Sequence, residues 1–340
     1  MTYTSTAGVG QGLEHLTGSI VRVSLPLPLP DLKIVNAYAI VAGDGITLID
    51  PGWASEASES VLVDALATLG AGPGDVRRIL VTHQHWDHYS LGVKWRDERG
   101  IELMLGREER HSIEAFTSMD GVHPVQVGML VEAGAEALAA QIDELDWQSY
   151  ERGVAFAPPD RWLDDGDVID CGTSSIVVRA TPGHTRGHIV FDDAAHGLVF
   201  TGDHLLPRIT PSIAFERQPE ALPLRSYLDS LSLLLDIPDS RMLPAHGSTA
   251  HTTHHRAAEL VAHHRDRLDV ITGLIAVGNA TSFEVSNKML WTRHERALGE
   301  LDIVHRMTAI LEVKSHLDLL ETQGVLTSTL VDGVREFALA

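Results

Sequence analysis

The sequence predicts an α/β (α+β) fold: two β-sheets packed face to face with helices on their outer faces, a four-layer αββα sandwich, then a helical C-terminal segment closed by a hairpin. Three observations predict it. Residues 19–105 and 168–244 are strand-rich stretches, each broken by helix-spaced segments, and two such halves bury their apolar faces against each other. Between them, over about 107–153, the composition shifts to Ala, Glu and Leu with few β-branched clusters, which reads as a helical insertion. Residues 251–340 read as three helices followed by a strand pair, a winged-helix-like order. The expected division is therefore a first domain over 1–250 carrying the 107–153 insertion, and a second over 251–340.

The elements follow in order. Residues 19–25 alternate, and 34–41 and 46–50 are apolar, β-rich runs joined through Gly43-Asp44-Gly45, a hairpin signal. Residues 54–69 carry apolar side chains at helical spacing (Val61, Leu62, Ala65, Leu66, Leu69) and stop at Gly70, with Gly72, Pro73 and Gly74 beyond. A short apolar strand over 76–82 runs into His83-Gln84-His85-Trp86-Asp87-His88. A helix over 89–99 ends at Gly100, and a strand over 101–105 follows. Strands resume over 168–170, 175–180, 187–191 and 198–201, and a helix over 223–235 leads to a strand over 241–244. The last segment carries helices over 254–277, 283–291 and 301–322, then 325–337 with the tight-turn dipeptide Asp332-Gly333.

Composition narrows the function classes. An apolar fraction of 44% and a charged fraction of 21% over 340 residues exclude a disordered or collagen-like chain. Twenty-six Lys and Arg against 47 Asp and Glu leave a net charge of −21 and a pI near 5.2. Such a surface repels polyphosphate on average, which argues against nucleic acid as a partner. The single cysteine, Cys171, rules out an internal disulfide and reads as a small buried hydrophobe. Residues 1–18 show neither a basic start nor a continuous apolar run, and no stretch reaches the length of a membrane span. The expectation is a soluble cytoplasmic protein with no membrane partner.

The 19 histidines carry the chemistry. A loop leaving a buried strand end can aim several side chains at one point. His83 and His85, as alternate residues, converge there, while Asp87 and His88 face a second point. Imidazole and carboxylate together suit borderline divalent metals. Thr181-Pro182-Gly183-His184-Thr185, Thr201-Gly202-Asp203-His204 and Pro244-Ala245-His246-Gly247 each follow a strand in the same way. The cluster His251, His254, His255, His263 and His264 reads instead as a solvated polar helix, and His188 as a packing group or a support for the ligands.

The series HQHWDH, TPGHT, TGDH and PAHG, preceded by Leu48-Ile49-Asp50-Pro51-Gly52, resembles the metallo-β-lactamase-fold hydrolase superfamily over about residues 20–250. The resemblance implies one metal held by His83, His85 and His184, a second held by Asp87, His88 and His246, and Asp203 bridging the two. It makes Asp87 and Asp203 the catalytic carboxylates, with a shared hydroxide as nucleophile. Asp50 matches the aspartate that supports ligands without binding metal. Two divalent ions are implied, zinc first, with iron or manganese as alternatives. Tyr89 departs from the family's small-Gly-Gly continuation; it lines the pocket or packs on the sheet as a helix residue. His204, beside the bridging aspartate, is a candidate pocket residue, and Arg208 a candidate anchor for a substrate carboxylate.

The ligand set separates the subclasses. Secreted β-lactamases of this fold carry Cys or Ser where Asp203 stands; flavo-diiron relatives carry Glu in place of His85. The complete set is similar to glyoxalase II-like thioesterases, which implies a metallohydrolase acting on a small, anionic thioester, ester or lactone. The tail resembles that of a subgroup that includes endoribonuclease-like members, so single-strand RNA or phosphodiester cleavage is one alternative. A mononuclear iron dioxygenase is another. Residues 251–340 hold nine Lys and Arg against twelve Asp and Glu. Arg293, Arg296, Arg306 and Lys314 are interleaved with acids and give no basic stripe. The tail is read as a cap or homodimer element.

Overall fold

The computed structural model describes residues 12–29, 32–148, 150–292 and 294–340; expectations touching residues 1–11 and Arg293 fall outside them. Among the described residues one sheet runs in chain order: β1 (Leu13–His15), β2 (Ile20–Pro26), β3 (Ile34–Ala42), β4 (Gly45–Ile49), β5 (Val76–Val81), β6 (Glu102–Gly106) and β7 (Arg161–Leu163). Strands β1 to β4 pair antiparallel and β4 to β7 parallel. The first two parallel crossovers are made by α1 (Glu56–Thr68) and α2 (Trp86–Arg99), the third by the insertion. Ser55 caps α1 by accepting the Ser58 N–H, and α2 ends on Gly100 in the left-handed conformation.

Helices α3 (Arg110–Ser118), α4 (Pro124–Glu132) and α5 (Glu136–Asp143) form the insertion. The second sheet has the order β12–β11–β10–β9–β8, from β8 (Val168–Asp170), β9 (Ser175–Ala180), β10 (Ile189–Asp193), β11 (Leu198–Gly202) and β12 (Arg241–Pro244). Helix α6 (Pro223–Asp236) joins β11 to β12, which pair parallel. The tail holds α7 (Thr253–Ala276), α8 (Ser282–Ser286), α9 (Ile303–Thr322) and the hairpin β13 (Leu326–Val331) and β14 (Val334–Leu339). The second tail helix is shorter than its pattern predicts. Among the described residues no helix is long and apolar enough to cross a membrane.

Strand alternation builds the layers. Along β3, Tyr38 and Ile40 point between the sheets, where they meet Val178, Phe191, Phe200 and Leu243 of the second sheet. Val35, Ala37 and Ala39 point the other way, into a core with Leu62 and Leu66 of α1 and Leu91 and Trp95 of α2. Val190, Val199 and Met242 do the same on the far side, under Leu231 of α6 and Leu260 of α7. The order is helix, sheet, sheet, helix, as the sequence predicts. A further core joins segments far apart in the chain: Leu130, Leu138 and Ile142 of the insertion pack with Ile271, Ile310, Leu317 and Phe337 of the tail.

One histidine of the tail differs from expectation. His264 is fully buried rather than solvated, and its Nδ1 lies 3.2 Å from Nε2 of His316 on α9, while Nδ1 of His316 donates to the Glu312 carbonyl at 2.7 Å. The i,i+4 pattern of α7 cannot show a partner 52 residues away. Burial first, then neighbouring cationic groups, holds His264 down to about 2 and His316 to about 3. Both stay neutral in the fold while the unfolded chain titrates near the ordinary imidazole value, so their contribution is complete above that value and is lost as the pH falls through it. At pH 5 the loss is on the order of 2 kcal/mol per imidazole. His264→Gln is expected to narrow the drop in melting temperature between pH 7.5 and pH 5.0. An unchanged drop in a thermal scan would contradict this.

Candidate metal centre

Strand direction gathers the motifs. β4 and β5 run parallel, and β9, β11 and β12 share one direction, so the segments after all five leave along one edge of the sandwich. The sheets are tied there: the Ile189 N–H donates to the Thr82 carbonyl at 2.9 Å, and the Asn36 N–H to the Ala245 carbonyl at 2.7 Å. Gly202, at φ +49, lies against Thr82 and His188, where a side chain has no room. That close approach turns β11 into Asp203.

Two clusters result. His83, His85, His184 and Asp203 have ligand atoms within 4.8 Å of one another, as do Asp87, His88 and His246. His83 Nε2 lies 2.9 Å from His85 Nδ1, which lies 3.2 Å from His184 Nε2. Asp203 spans both clusters: Oδ1 is 3.4 Å from His246 Nε2 and 3.7 Å from His88 Nε2, and Oδ2 is 3.7 Å from His184 Nε2. Asp87 Oδ2 is 3.4 Å from His246 Nε2 and 3.7 Å from His88 Nε2. Nitrogens bound tetrahedrally at 2.0–2.1 Å to one zinc stand about 3.4 Å apart, so these spacings suit a metal.

The hydrogen bonds behind the ligands test the fit further. His85 Nε2 donates to the Phe215 carbonyl at 2.7 Å, His184 Nδ1 to Ser212 at 2.7 Å, and His246 Nδ1 to Ile34 at 2.8 Å. His88 Nδ1 donates to Asp50 Oδ2 at 3.1 Å. Asp50, itself at φ +49, also accepts the Thr82 N–H at 2.8 Å and the Thr82 hydroxyl at 2.9 Å, which leaves Thr82 Oγ1 to accept from His83 Nδ1 at 3.1 Å. Every imidazole thus has a partner at its outward nitrogen, and its other nitrogen faces the cluster, where a cation can take the place of a proton. His88 Nε2, His246 Nε2 and Asp203 Oδ1 are buried without a hydrogen-bond partner. A divalent cation satisfies what these inward atoms lack.

The two clusters differ in charge. Burial, then the neighbouring imidazoles, lowers His83; burial and His184 hold His85 near 4. At the other cluster burial opposes the charged form, yet Asp87, Asp203 and Asp50 raise His88 to about 10, and Asp203 and Asp87 raise His246. Asp87 is lowered below the usual carboxylate range, because His88 and His246 outweigh its burial. The carboxylates draw positive charge to this side.

The other named residues separate. Tyr89 does not line a pocket: it is fully buried in the α1/α2 core and its hydroxyl donates to the Ala157 carbonyl at 2.6 Å. His204 is no pocket residue either; its ring is sealed against Tyr227 (5.0 Å between centroids) and held near 3, by burial first and His184 second. The carbonyl of His204 accepts from the Tyr227 hydroxyl at 2.9 Å. His188 supports the bridge: its Nε2 accepts the Asp203 N–H at 3.2 Å, and Nδ1 lies 2.9 Å from Thr181 Oγ1. Arg208 is exposed, and among the described residues it makes no ion pair. The residue before it, Pro207, packs over Gly247, beside His246. Sequence patterns missed the half-buried aromatics at the site: Trp86 with Tyr150 (5.0 Å) and Trp53 (5.6 Å), and Phe215 with His85 (6.0 Å). Trp86 was visible inside the motif itself.

The layers and the ligand clusters define a metal-dependent hydrolase fold. Residues 30–246 match the profile of the metallo-beta-lactamase superfamily, and the chain belongs to that family. It is similar to the probable metallo-hydrolase YqjP of Bacillus subtilis, 25% identical over 91% of this chain and 93% of the relative. It also resembles an acyl-coenzyme A thioesterase, MBLAC2, of Gallus gallus, 31% identical over 39% of this chain and 43% of the relative. Among solved structures, a metallo-beta-lactamase family protein from Thermus thermophilus superposes with a TM-score of 0.76 at 25% identity, covering 96% of this chain and all of that one. A beta-lactamase domain protein from Burkholderia ambifaria gives 0.76 at 28% identity, covering 98% and 95%.

Asp50→Ala removes the acceptor behind His88 and Thr82. It is expected to weaken metal binding about 10- to 100-fold, read by competition with a chromogenic chelator. Wild-type affinity would contradict the orienting role of Asp50.

Proposed function

We propose that the chain hydrolyses small carboxylic thioesters, esters or lactones with two divalent cations, zinc in this reading, held by His83, His85 and His184 and by Asp87, His88 and His246 with Asp203 between them. The observation that carries it is the set of inward ring nitrogens shared through Asp203. Such cations supply Lewis acidity towards a carbonyl and lower the pKa of a bound water towards neutrality. The chain supplies orientation: Phe215, Ser212, Ile34, Asp50 and Thr82 fix the imidazoles before any substrate arrives.

Two features favour a small acyl substrate over a polyanion. Trp86, Tyr150, Trp53 and Phe215 offer half-exposed apolar area beside the ligands, suited to an acyl group. The net charge of −21 repels a long polyanion along its contact path, whereas a single carboxylate meets mainly the cationic centre and Arg208. The partial similarity to a thioesterase supports the same class. We read the tail, winged-helix-like in element order, as a cap or a homodimer element; Leu330, Val331 and Leu339 expose apolar area on its hairpin.

The zinc-loaded chain is to be assayed on acyl-coenzyme A and acyl-glutathione thioesters, lactones, a β-lactam and single-stranded RNA. Turnover of thioesters or lactones is expected, with RNA left intact. RNA cleavage at physiological salt without thioester or lactone turnover would reverse the assignment, and one iron per chain would favour dioxygenation. Arg208→Ala is expected to raise KM about tenfold with kcat little changed, as removal of a uniform binding contact does. A fall in kcat alone would remove Arg208 from the binding role.

A further inference from the structure

We propose that Glu109 is a positioning residue that clasps the two loops carrying His83, His85 and His184, and so sets the geometry of the three-histidine cluster. This rests on reading those histidines as metal ligands. Glu109 ends the 3-10 turn Arg107–Glu109 after β6 and is fully buried. Its Oε1 accepts from Thr185 Oγ1 at 2.5 Å, and its carboxyl also accepts the backbone N–H of Gln84. Gln84 stands between His83 and His85, and Thr185 follows His184. Among the described residues no other side chain outside the ligand set is bonded to both loops.

The backbone beneath is fitted to the same task. Gly187 lies directly on the Glu109 amide and Gly106 on the Gly187 carbonyl, so the turn sits on the 184–187 loop with no room for a β-carbon at either glycine. A second buried carboxyl reinforces the clasp. Glu216 Oε1 accepts the Arg186 N–H at 2.7 Å and Oε2 the Ser112 hydroxyl at 2.7 Å, one residue beyond the Phe215 carbonyl that holds His85. Burial, then Glu216, raises Glu109 well above the ordinary carboxyl value. Its Oε2 is buried without a hydrogen-bond partner, so the bonds from Thr185 and Gln84 fall on Oε1. A carboxyl that accepts both bonds through one oxygen can be replaced by a carboxamide, whose oxygen keeps them. It cannot be replaced by a methyl group.

The test is cadmium binding to the full chain, followed by 113Cd NMR, in which the nitrogen-rich and the oxygen-containing clusters give separate resonances. Glu109→Ala is expected to weaken cadmium at the three-histidine cluster about 10- to 100-fold and shift its resonance, with the second cluster unchanged. Glu109→Gln is expected to match wild type in both readouts. Equal loss at both clusters in parallel with a fall in melting temperature, or wild-type affinity at both in Glu109→Ala, would overturn the proposal. Should Glu109→Ala not fold, Thr185→Val and Thr185→Ser carry the test: selective weakening in the first with recovery in the second supports the clasp, and no difference between them overturns it. A wild-type chain that takes up no metal removes the metal reading itself and the clasp with it. Two metals bound by wild type, with no selective effect of Glu109→Ala, removes the clasp alone.

Discussion

Five imidazoles, each with one ring nitrogen turned inward, are the constraint on which the rest of this structure depends. Bare, they repel one another and leave buried nitrogens without partners; with a cation among them they become ligands. The fold holds them in that state by occupying every outward nitrogen with an acceptor: carbonyls at Phe215, Ser212 and Ile34, the Asp50 carboxylate, and the Thr82 hydroxyl. Three of these acceptors are backbone. The sandwich must therefore keep loops from both halves in register to within a hydrogen bond, and the ties between Thr82 and Ile189 and between Asn36 and Ala245 do so.

The asymmetry between the clusters follows from where the carboxylates lie. Asp87, Asp203 and Asp50 all face the His88 and His246 side, which attracts positive charge even without a cation. On the three-histidine side Asp203 and Asp87 do not offset burial and the mutual repulsion of the rings. Its geometry therefore relies more on mechanical support from behind, and the buried carboxyls of Glu109 and Glu216 are placed where such support acts.

Much of this was legible in the sequence. The ligand motifs each follow a strand, and the resemblance of their series to the metallo-β-lactamase fold grouped residues distant in the chain from the sequence alone. The layer order was legible because strand alternation and helix spacing are local patterns. What was not legible acts through space without a local signature. A backbone carbonyl that orients a histidine looks like any other carbonyl, so Phe215, Ser212 and Ile34 could not be singled out. His264 read as solvated because its partner lies on another helix. Tyr89 and His204 sit beside ligands in the chain, yet adjacency along an element puts neighbours on different faces, and both side chains point into packing.

The core shared by the insertion and the tail has a consequence for how the chain is made. Helices α4 and α5 leave the ribosome long before α7, α9 and β14, which cover their apolar faces. Without those elements the insertion has no complete core, so its apolar faces stay open to other contacts. The segment that carries Tyr150 is tied from the other side, to Trp53 and Trp86 beside the metal centre. The insertion thus bridges the metal centre and the tail, and a copy cut short before α9 would leave its apolar faces bare.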